Sequence, residues 1–294
     1  MQRLLFLLIC LILIACSDQS SSKEPLPLTD QDREQIAEFS GRLIASINGF
    51  DFSVFNSSWN NPAFKRRMKQ IDHTQKSVLA YLSEEMEKQI KFGNLSIIHE
   101  VNDGRGEVLQ VGLNFFDTYA ELVLLSNFAN AYNFFKYRIE MVGGRPVLSD
   151  YLEFREDFWY SEKIVNFLRH NSEYNAYSKE RHQTNDAMNT SQAYLATGDT
   201  LSALQYLYEV PPTHQLGNEL SLMKIDLAAS LGDSIHASVL NAEFEQHPNL
   251  YVRYLYHYFY ADTADLEIVY QTLEDRIGDN NVLDSLVLAG KVWN

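Results

Sequence analysis

Two stretches in the second half of the chain resemble each other at a spacing of 34 residues, and this repetition restricts the fold more than any other feature of the sequence. The first stretch, AYLATGDTLSALQYLYEV, begins at Ala193, and the second, LAASLGDSIHASVLNAEF, begins at Leu227. Gly198-Asp199 recurs as Gly232-Asp233, and the same spacing relates Ala203 to Ala237, Leu201 to Ile235 and Val210 to Phe244. A glycine ends one helix, and a small residue five positions later lets the next helix approach closely. The pattern therefore predicts stacked pairs of helices.

This spacing resembles that of the tetratricopeptide repeat, a family of helical hairpins with a period of about 34 residues. The resemblance covers residues 184–294, with a shorter third unit at 249–277 and a last helix at 281–293. Residues 158–183 are predicted to be connecting helices. Pro248 falls near the closing proline of the family, whereas Pro211-Pro212 comes too early. The resemblance implies an all-α solenoid whose groove binds segments of other proteins.

The start of the chain has the composition of a bacterial secretion signal. Arg3 is followed by an apolar run, residues 4–14, which is shorter than the roughly 20 residues that a membrane-spanning helix needs. The run ends in Leu13-Ile14-Ala15-Cys16, which resembles the lipobox of bacterial lipoproteins. The resemblance implies removal of a signal peptide, residues 1–15, and acylation of Cys16 by diacylglycerol and usually a further acyl chain such as palmitate. The alternative is an ordinary secretory signal with an incidental cysteine.

Residues 16–28 contain serines, charged residues and two prolines, and they are predicted to be a flexible tether. A chain anchored through Cys16 would be exported and held at the cell membrane, facing the periplasm. Ser17 stands where many inner-membrane lipoproteins carry aspartate, which favours the outer membrane.

Residues 29–157 change from a helical to an alternating pattern, which predicts an α+β domain. Ile36, Phe39, Leu43 and Ile47 recur at helical spacing behind a cap at Thr29 or Asp30, and a second helix is predicted over residues 69–92. Strands are predicted at 95–101, 107–116, 118–126, 132–142 and 146–154, with turns at Asp103-Gly104 and Gly143-Gly144. Two helices followed by a four- or five-stranded curved antiparallel sheet resemble the SnoaL-like and cystatin-like folds, in which the sheet wraps a long helix.

Two sets of side chains alternate along the strand predicted at 132–142. One set comprises Phe135, Tyr137, Ile139 and Met141, and the other comprises Phe134, Lys136, Arg138 and Glu140. The alternation predicts a sheet with one buried face and one mostly solvated face.

The chain carries a formal net charge of −15, and an acidic surface repels phosphate backbones and anionic lipid headgroups. Nucleic acid is therefore not expected as a partner. The one basic cluster, Lys65-Arg66-Arg67-Met68-Lys69, is interpreted as a solvated helix start.

No motif in the sequence predicts a catalytic residue, a cofactor or a metal site. The eight histidines are scattered and include no pair at the i, i+4 spacing that metal sites on helices favour. Ser221-Leu222-Met223-Lys224 matches the Ser-x-x-Lys pattern of penicillin-binding enzymes, but the companion Lys-Thr-Gly motif is missing. We interpret the match as chance, and the sequence favours a protein that is not an enzyme.

Aromatic residues supply the candidate partner contacts. The stretch YVRYLYHYFY, residues 251–260, places Tyr251, Tyr254 and Tyr258 on one helical stripe. Such a helix is either packed between neighbouring helices or lines a surface that binds a partner. Trp293, in the apolar helix at the C-terminal end, is a further candidate contact.

A second group of aromatic residues belongs to the α+β domain. If that domain forms a cone, a small molecule or glycan fits in its mouth. The predicted lining residues are Trp59, Tyr119, Tyr137 and Tyr151.

These observations lead to two hypotheses about function. The first is a lipid-anchored adaptor or scaffold of the cell envelope, whose helical repeats bind another protein. The second is a small-molecule or glycan binder, or an enzyme, that uses a pocket within residues 29–157.

Overall fold

The computed structural model describes residues 25–51, 53–71, 97, 107–128, 131–155, 157–171, 174–210, 219–246, 249–260, 267, 271–272 and 274. The helices before the sheet are α1 (Asp30–Asn48), α2 (Ser53–Ser58) and α3 (Asn61–Ile71). The strands are β1 (Val108–Phe115), β2 (Tyr119–Phe128), β3 (Ala131–Val142), β4 (Arg145–Glu153) and β5 (Phe158–Trp159). The helices after the sheet are α4 (Tyr160–Asn171), α5 (Tyr174–Ala196), α6 (Thr200–Leu207), α7 (Glu219–Leu231), α8 (Asp233–Gln246) and α9 (Leu250–Tyr260). The predicted α+β class, with a helical C-terminal region, is confirmed.

Helix α1 begins at the predicted cap. The Thr29 hydroxyl oxygen accepts a hydrogen bond from the Asp32 backbone N–H at 3.2 Å, and the Asp32 carboxylate accepts one from the Thr29 N–H at 2.9 Å. This capping box pairs two donors that a helix start otherwise leaves without an acceptor. The apolar side chains predicted to share one face, from Ile36 to Ile47, are buried against the sheet.

The sheet is antiparallel and has the strand order β1-β2-β3-β4-β5. One face packs on α1 and carries Ala120, Leu122, Leu124, Phe135, Tyr137 and Ile139. Gly143 and Gly144 form the predicted two-residue turn between β3 and β4, with φ angles of +59° and +73°. A turn with positive φ at both positions suits the right-handed twist of a hairpin.

The structure differs from the sequence-based expectations at two places in this region. The second helix, predicted over residues 69–92, begins earlier, at Asn61, and residues 72–96 lie outside the described residues. The strand predicted at 95–101 is represented only by Ile97, which is helical and buried, so the strand prediction is wrong at that residue. Among the described strands, the fifth is instead β5, which pairs with the end of β4 just beyond the predicted domain boundary at residue 157.

The region after the sheet is helical throughout its described parts, and helices adjacent in sequence from α5 to α9 pack on one another. Their shared core includes Ala203, Leu207, Ala228, Leu240 and Val252. Gly198 and Gly232, at the two Gly-Asp turns, have φ angles of +81° and +110°, which glycine adopts without strain. Within the described residues, no helix combines the length and the apolar character needed to cross a membrane.

Candidate functional site

Three of the four residues predicted to line a pocket lie together in the α+β core. The Tyr151 ring centroid is 6.2 Å from that of Trp59 and 6.3 Å from that of Tyr137. Phe55, Phe64 and Tyr160 complete the cluster, with ring centroids 4.9–6.2 Å from one or more of these rings. Tyr137 is fully buried. The core between the sheet and its helices is therefore filled at this point by aromatic side chains of the chain itself.

Tyr119 does not belong to that cluster, and the prediction of a single four-residue pocket is wrong. In the register of β2 and β3, Tyr119 lies opposite Glu140, whereas Leu122 lies opposite Tyr137. Positions 119 and 122 are three residues apart in one strand, so Tyr119 and Tyr137 lie on opposite faces of the sheet. Tyr119 instead stacks on Phe116, with ring centroids 4.5 Å apart.

The tyrosine-rich helix α9 is attached to the sheet region through Phe154. The ring of Phe154 lies 5.5 Å from that of Tyr251 and 6.2 Å from that of Tyr254. Next to it, Arg155 Nη2 lies 2.8 Å from Asp226 Oδ2 on α7. Tyr251 and Tyr254 are thus buried within the chain and do not form an exposed partner surface.

The side chains of the other two candidate partner contacts, Tyr258 and Trp293, lie outside the described part of the structure. Tyr258 lies in α9, and its side chain is outside the described part of the structure. Trp293 also lies outside the described residues.

The alternation predicts that the second face of the sheet is mostly solvated, but the structure buries this face. The side chains of Lys136, Arg138 and Glu140 are only 12%, 11% and 4% exposed. Opposite charges meet on this face, because Arg138 lies directly across from Glu121 on β2 and from Asp150 on β4. The expectation of a wet face is therefore wrong, and the face holds a layer of paired charges.

Glu140 accepts three side-chain hydrogen bonds in this layer. It accepts a hydrogen bond from Arg138 Nε at 3.1 Å and one from the Ser149 hydroxyl at 3.0 Å. Arg66, on α3, donates a third through Nη2. Beside it, Lys136 Nζ lies 2.7 Å from Glu121 Oε2. The layer thus joins α3 to the sheet through charge-assisted hydrogen bonds.

Asp150 connects the same layer to the start of α4. Its carboxylate accepts hydrogen bonds from the Ser161 N–H at 3.1 Å, the Ser161 hydroxyl at 2.5 Å and the Tyr151 N–H at 3.0 Å. Arg67 Nε lies 3.7 Å from the carboxylate. Burial raises the pKa of Asp150 to about 6, although the bonds from Ser161 and the charge of Arg67 act in the opposite direction.

This raised pKa predicts that stability changes with pH through Asp150. Between about pH 4 and pH 6 the folded chain holds a proton that the unfolded chain has lost, so the free energy of unfolding decreases as pH rises through this range. The difference between a pKa of about 6 and the ordinary 3.8 corresponds to about 3 kcal/mol. We expect urea unfolding at pH 4, 5, 6 and 7 to show this decrease in the wild type and to show much less of it in Asp150→Asn. Equal pH dependence in the two proteins would contradict the assignment.

The basic cluster at residues 65–69 takes part in this layer. Arg66 and Arg67 reach the sheet carboxylates, and Lys69 stays exposed. The interpretation of the whole cluster as a solvated helix start is therefore wrong for the two arginines. Helical periodicity already predicts that the side chains of residues 65–69 point in different directions. The sequence alone does not indicate which of them face a sheet.

The Ser-x-x-Lys match lies in the interior of the helical region. The Ser221 hydroxyl lies 2.5 Å from Glu243 Oε2, and Lys224 Nζ lies 2.9 Å from Glu243 Oε1. All three side chains are buried, so a substrate has no access to the serine. Both residues connect α7 to α8, which supports the interpretation of the motif as a chance match.

The helical region also presents large apolar or aromatic side chains to solvent. The exposed members are Tyr194, Leu201, Tyr208, Phe259 and Tyr260. They are distributed over α5, α6, α9 and the turn after α6. Exposed aromatic residues of this kind are enriched at protein interfaces.

Within the described ranges, no group of three or more histidine, cysteine, aspartate or glutamate side chains is arranged to hold a metal ion. Comparison of the sequence with protein-family models and with curated proteins gave no match.

Proposed function

We propose that this chain is a lipid-anchored adaptor of the bacterial cell envelope, and that its helical hairpins bind a partner protein. The observation that carries the proposal is the pair of Gly-Asp turns 34 residues apart, both with a glycine at positive φ. This arrangement supports a tetratricopeptide-like solenoid, in which each helix covers the apolar face of the one before it. Proteins built from such hairpins bind other proteins on the surface that the stacked helices create.

The exposed side chains of the helical region support a docking role. Residues that serve only to pack successive hairpins are buried, as Ala203 and Leu207 are. Leu201, at the start of α6, and Tyr208, in the turn after it, are instead exposed. This part of the hairpin therefore presents apolar and aromatic surface to solvent, although the Tyr208 ring also contacts Lys224.

The entry of the chain into the sheet region is compatible with a membrane tether. The backbone N–H of Leu28 donates a hydrogen bond to the Asp117 carbonyl at 2.7 Å, and the Leu28 side chain joins the core. Leu28 lies twelve residues after Cys16, and a fully extended chain of that length spans at most about 40 Å. A diacylglycerol on Cys16, with or without an amide-linked acyl chain, would hold the folded part within that distance of the bilayer.

Site-specific photocrosslinking in native membranes tests this proposal. A photoreactive residue is placed at Leu201, Tyr208 or Phe259 of the full chain, and matched control positions are the exposed Leu109 and Phe158 on the sheet. We expect one partner, identified by mass spectrometry, to be captured from the helical positions and not from the sheet positions. We also expect Cys16→Ala to release the chain from the membrane fraction, whereas Cys10→Ala does not.

Two outcomes would contradict the proposal in separable ways. The docking role would be contradicted if the same proteins were captured from the sheet and helical positions, or if no protein were captured at all. Retention of the Cys16→Ala variant in the membrane fraction would contradict the proposed lipid anchor, but it would not affect the proposed docking role.

A further inference from the structure

Three arginine side chains contact two neighbouring carboxylates between α3 and the second face of the sheet. Arg66 and Arg138 both contact the carboxylate of Glu140. Arg67 lies beside Asp150, whose cross-strand neighbour on β3 is Arg138. Arg66 and Arg138 thus share one carboxylate, and Arg67 lies against the carboxylate of the residue that pairs with Arg138, where α3 packs on β4.

Most of the hydrogen-bond donors of these groups have no acceptor within the described residues. Each guanidinium carries five N–H donors. Arg66 donates to Glu140 through Nη2, and Arg138 donates to it through Nε. Arg67 Nε is buried without a hydrogen-bond partner, because the nearest carboxylate oxygen, on Asp150, is 3.7 Å away. Donors held in a partly buried position without an acceptor are costly unless water or a ligand satisfies them.

The local charge also favours an anion. Three guanidinium groups face the two carboxylates of Glu140 and Asp150, because Lys136 and Glu121 pair with each other. This part of the molecule therefore has one excess positive charge, or two when Asp150 is protonated, in a chain whose net charge is −15. The side chains of Arg66 and Arg67 are 25% and 24% exposed, so a small solute can reach them.

We propose that Arg66, Arg67 and Arg138 form a binding site for a small oxyanion, either phosphate or the carboxylate group of a ligand. The planar guanidinium fork matches two oxygens of such a group. The guanidinium of Arg138 lies 3.4 Å from the centroid of the Tyr119 ring, which fixes the plane in which its free donors lie. Arg67 supplies the most donors, since none of them is used by a protein acceptor in the described structure. The site does not depend on the lipid anchor or on the helical hairpins.

Titration calorimetry of the full chain with inorganic phosphate, and separately with acetate, tests the site. We expect the wild type to bind at least one of the two anions when ionic strength is held constant with sodium chloride. Arg67→Ala is expected to weaken binding about tenfold or more, because a hydrogen bond to a charged group is lost. Lys69→Ala, which removes the same charge from an exposed position of the same helix, is expected to bind as the wild type does.

A second variant keeps the test decisive if Arg67→Ala does not fold. Arg67→Lys retains the positive charge beside Asp150 but loses the planar fork, so we expect it to fold and to bind more weakly than the wild type. Tighter binding of phosphate than of acetate assigns the site to phosphate, and tighter binding of acetate assigns it to a carboxylate. Equal affinity in the Arg67 and Lys69 variants, or no binding beyond the effect of chloride, would overturn the proposal.

Discussion

Replacement of Lys224 by methionine is expected to lower the free energy of unfolding by about 3–5 kcal/mol. Lys224 and Glu243 are each 1% exposed, and their charged atoms are 2.9 Å apart. Without the lysine, the carboxylate of Glu243 stays buried, and the Ser221 hydroxyl is its remaining hydrogen-bond partner within the described residues. An uncompensated charge in the protein interior is far less stable than the same charge in water. Urea unfolding of the two proteins, followed by far-UV circular dichroism, measures the difference.

Two controls separate the loss of the ion pair from the loss of the side chain. Lys69→Met makes the same substitution on an exposed helix position and is expected to change the free energy of unfolding by less than about 0.5 kcal/mol. The double variant Lys224→Met, Glu243→Leu removes both charges and is expected to recover most of the lost stability. A loss of less than about 1 kcal/mol in Lys224→Met alone would show that the pair does not stabilise the hairpin.

The local elements of this fold follow from the sequence because their signals are local. The capping box of α1 involves Thr29 and Asp32, three positions apart, and the turn between β3 and β4 needs only Gly143 and Gly144. Alternation within β3 also assigned Phe135, Tyr137 and Ile139 correctly to the core face. Each of these inferences depends on neighbours that a short window contains.

The candidate sites were harder to predict because their partners are distant in sequence. Alternation shows that Lys136, Arg138 and Glu140 share a face, but not that Arg66 of α3 covers Glu140 from 74 positions away. Likewise, the wrong placement of Tyr119 arose because the register between two strands, and not the pattern within one, decides which residues share a face. Opposite charges on neighbouring strands, such as Glu121 and Arg138, are the sequence signal that favours a covered charged face.

The burial of Tyr251 and Tyr254 shows the same limit in the helical region. Their spacing allowed either a packed stripe or a partner surface, and nothing near them in sequence identifies Phe154 as the side chain that covers them. Phe154 follows the last residue of β4 and contacts Phe134 of β3 as well, with ring centroids 5.8 Å apart. One aromatic side chain therefore connects the sheet to α9.

Replacement of Phe154 by alanine is expected to lower the free energy of unfolding by about 3–5 kcal/mol, the range for removing a buried phenylalanine ring. The side chain is 1% exposed, and its loss leaves a cavity bordered by Phe134, Tyr251 and Tyr254. Since two of these neighbours belong to α9, the sheet and the helical region should also separate more easily. We expect limited proteolysis to cleave Phe154→Ala between the two regions at a rate well above that of the wild type.

Phe158→Ala is the matched control for this substitution, because Phe158 lies four residues further along and is 42% exposed. Its replacement removes the same atoms from a position that buries less apolar surface, so we expect a loss of about 1 kcal/mol or less. Urea unfolding followed by far-UV circular dichroism compares the three proteins, and the proteolysis time course reports on the junction itself. If Phe154→Ala is no less stable than Phe158→Ala and resists proteolysis equally well, Phe154 does not connect the two regions. The neighbouring Arg155 also contacts the helical region, through Asp226, which is 64% exposed, and through the Tyr251 ring 5.7 Å away, but surface ion pairs of that kind contribute little.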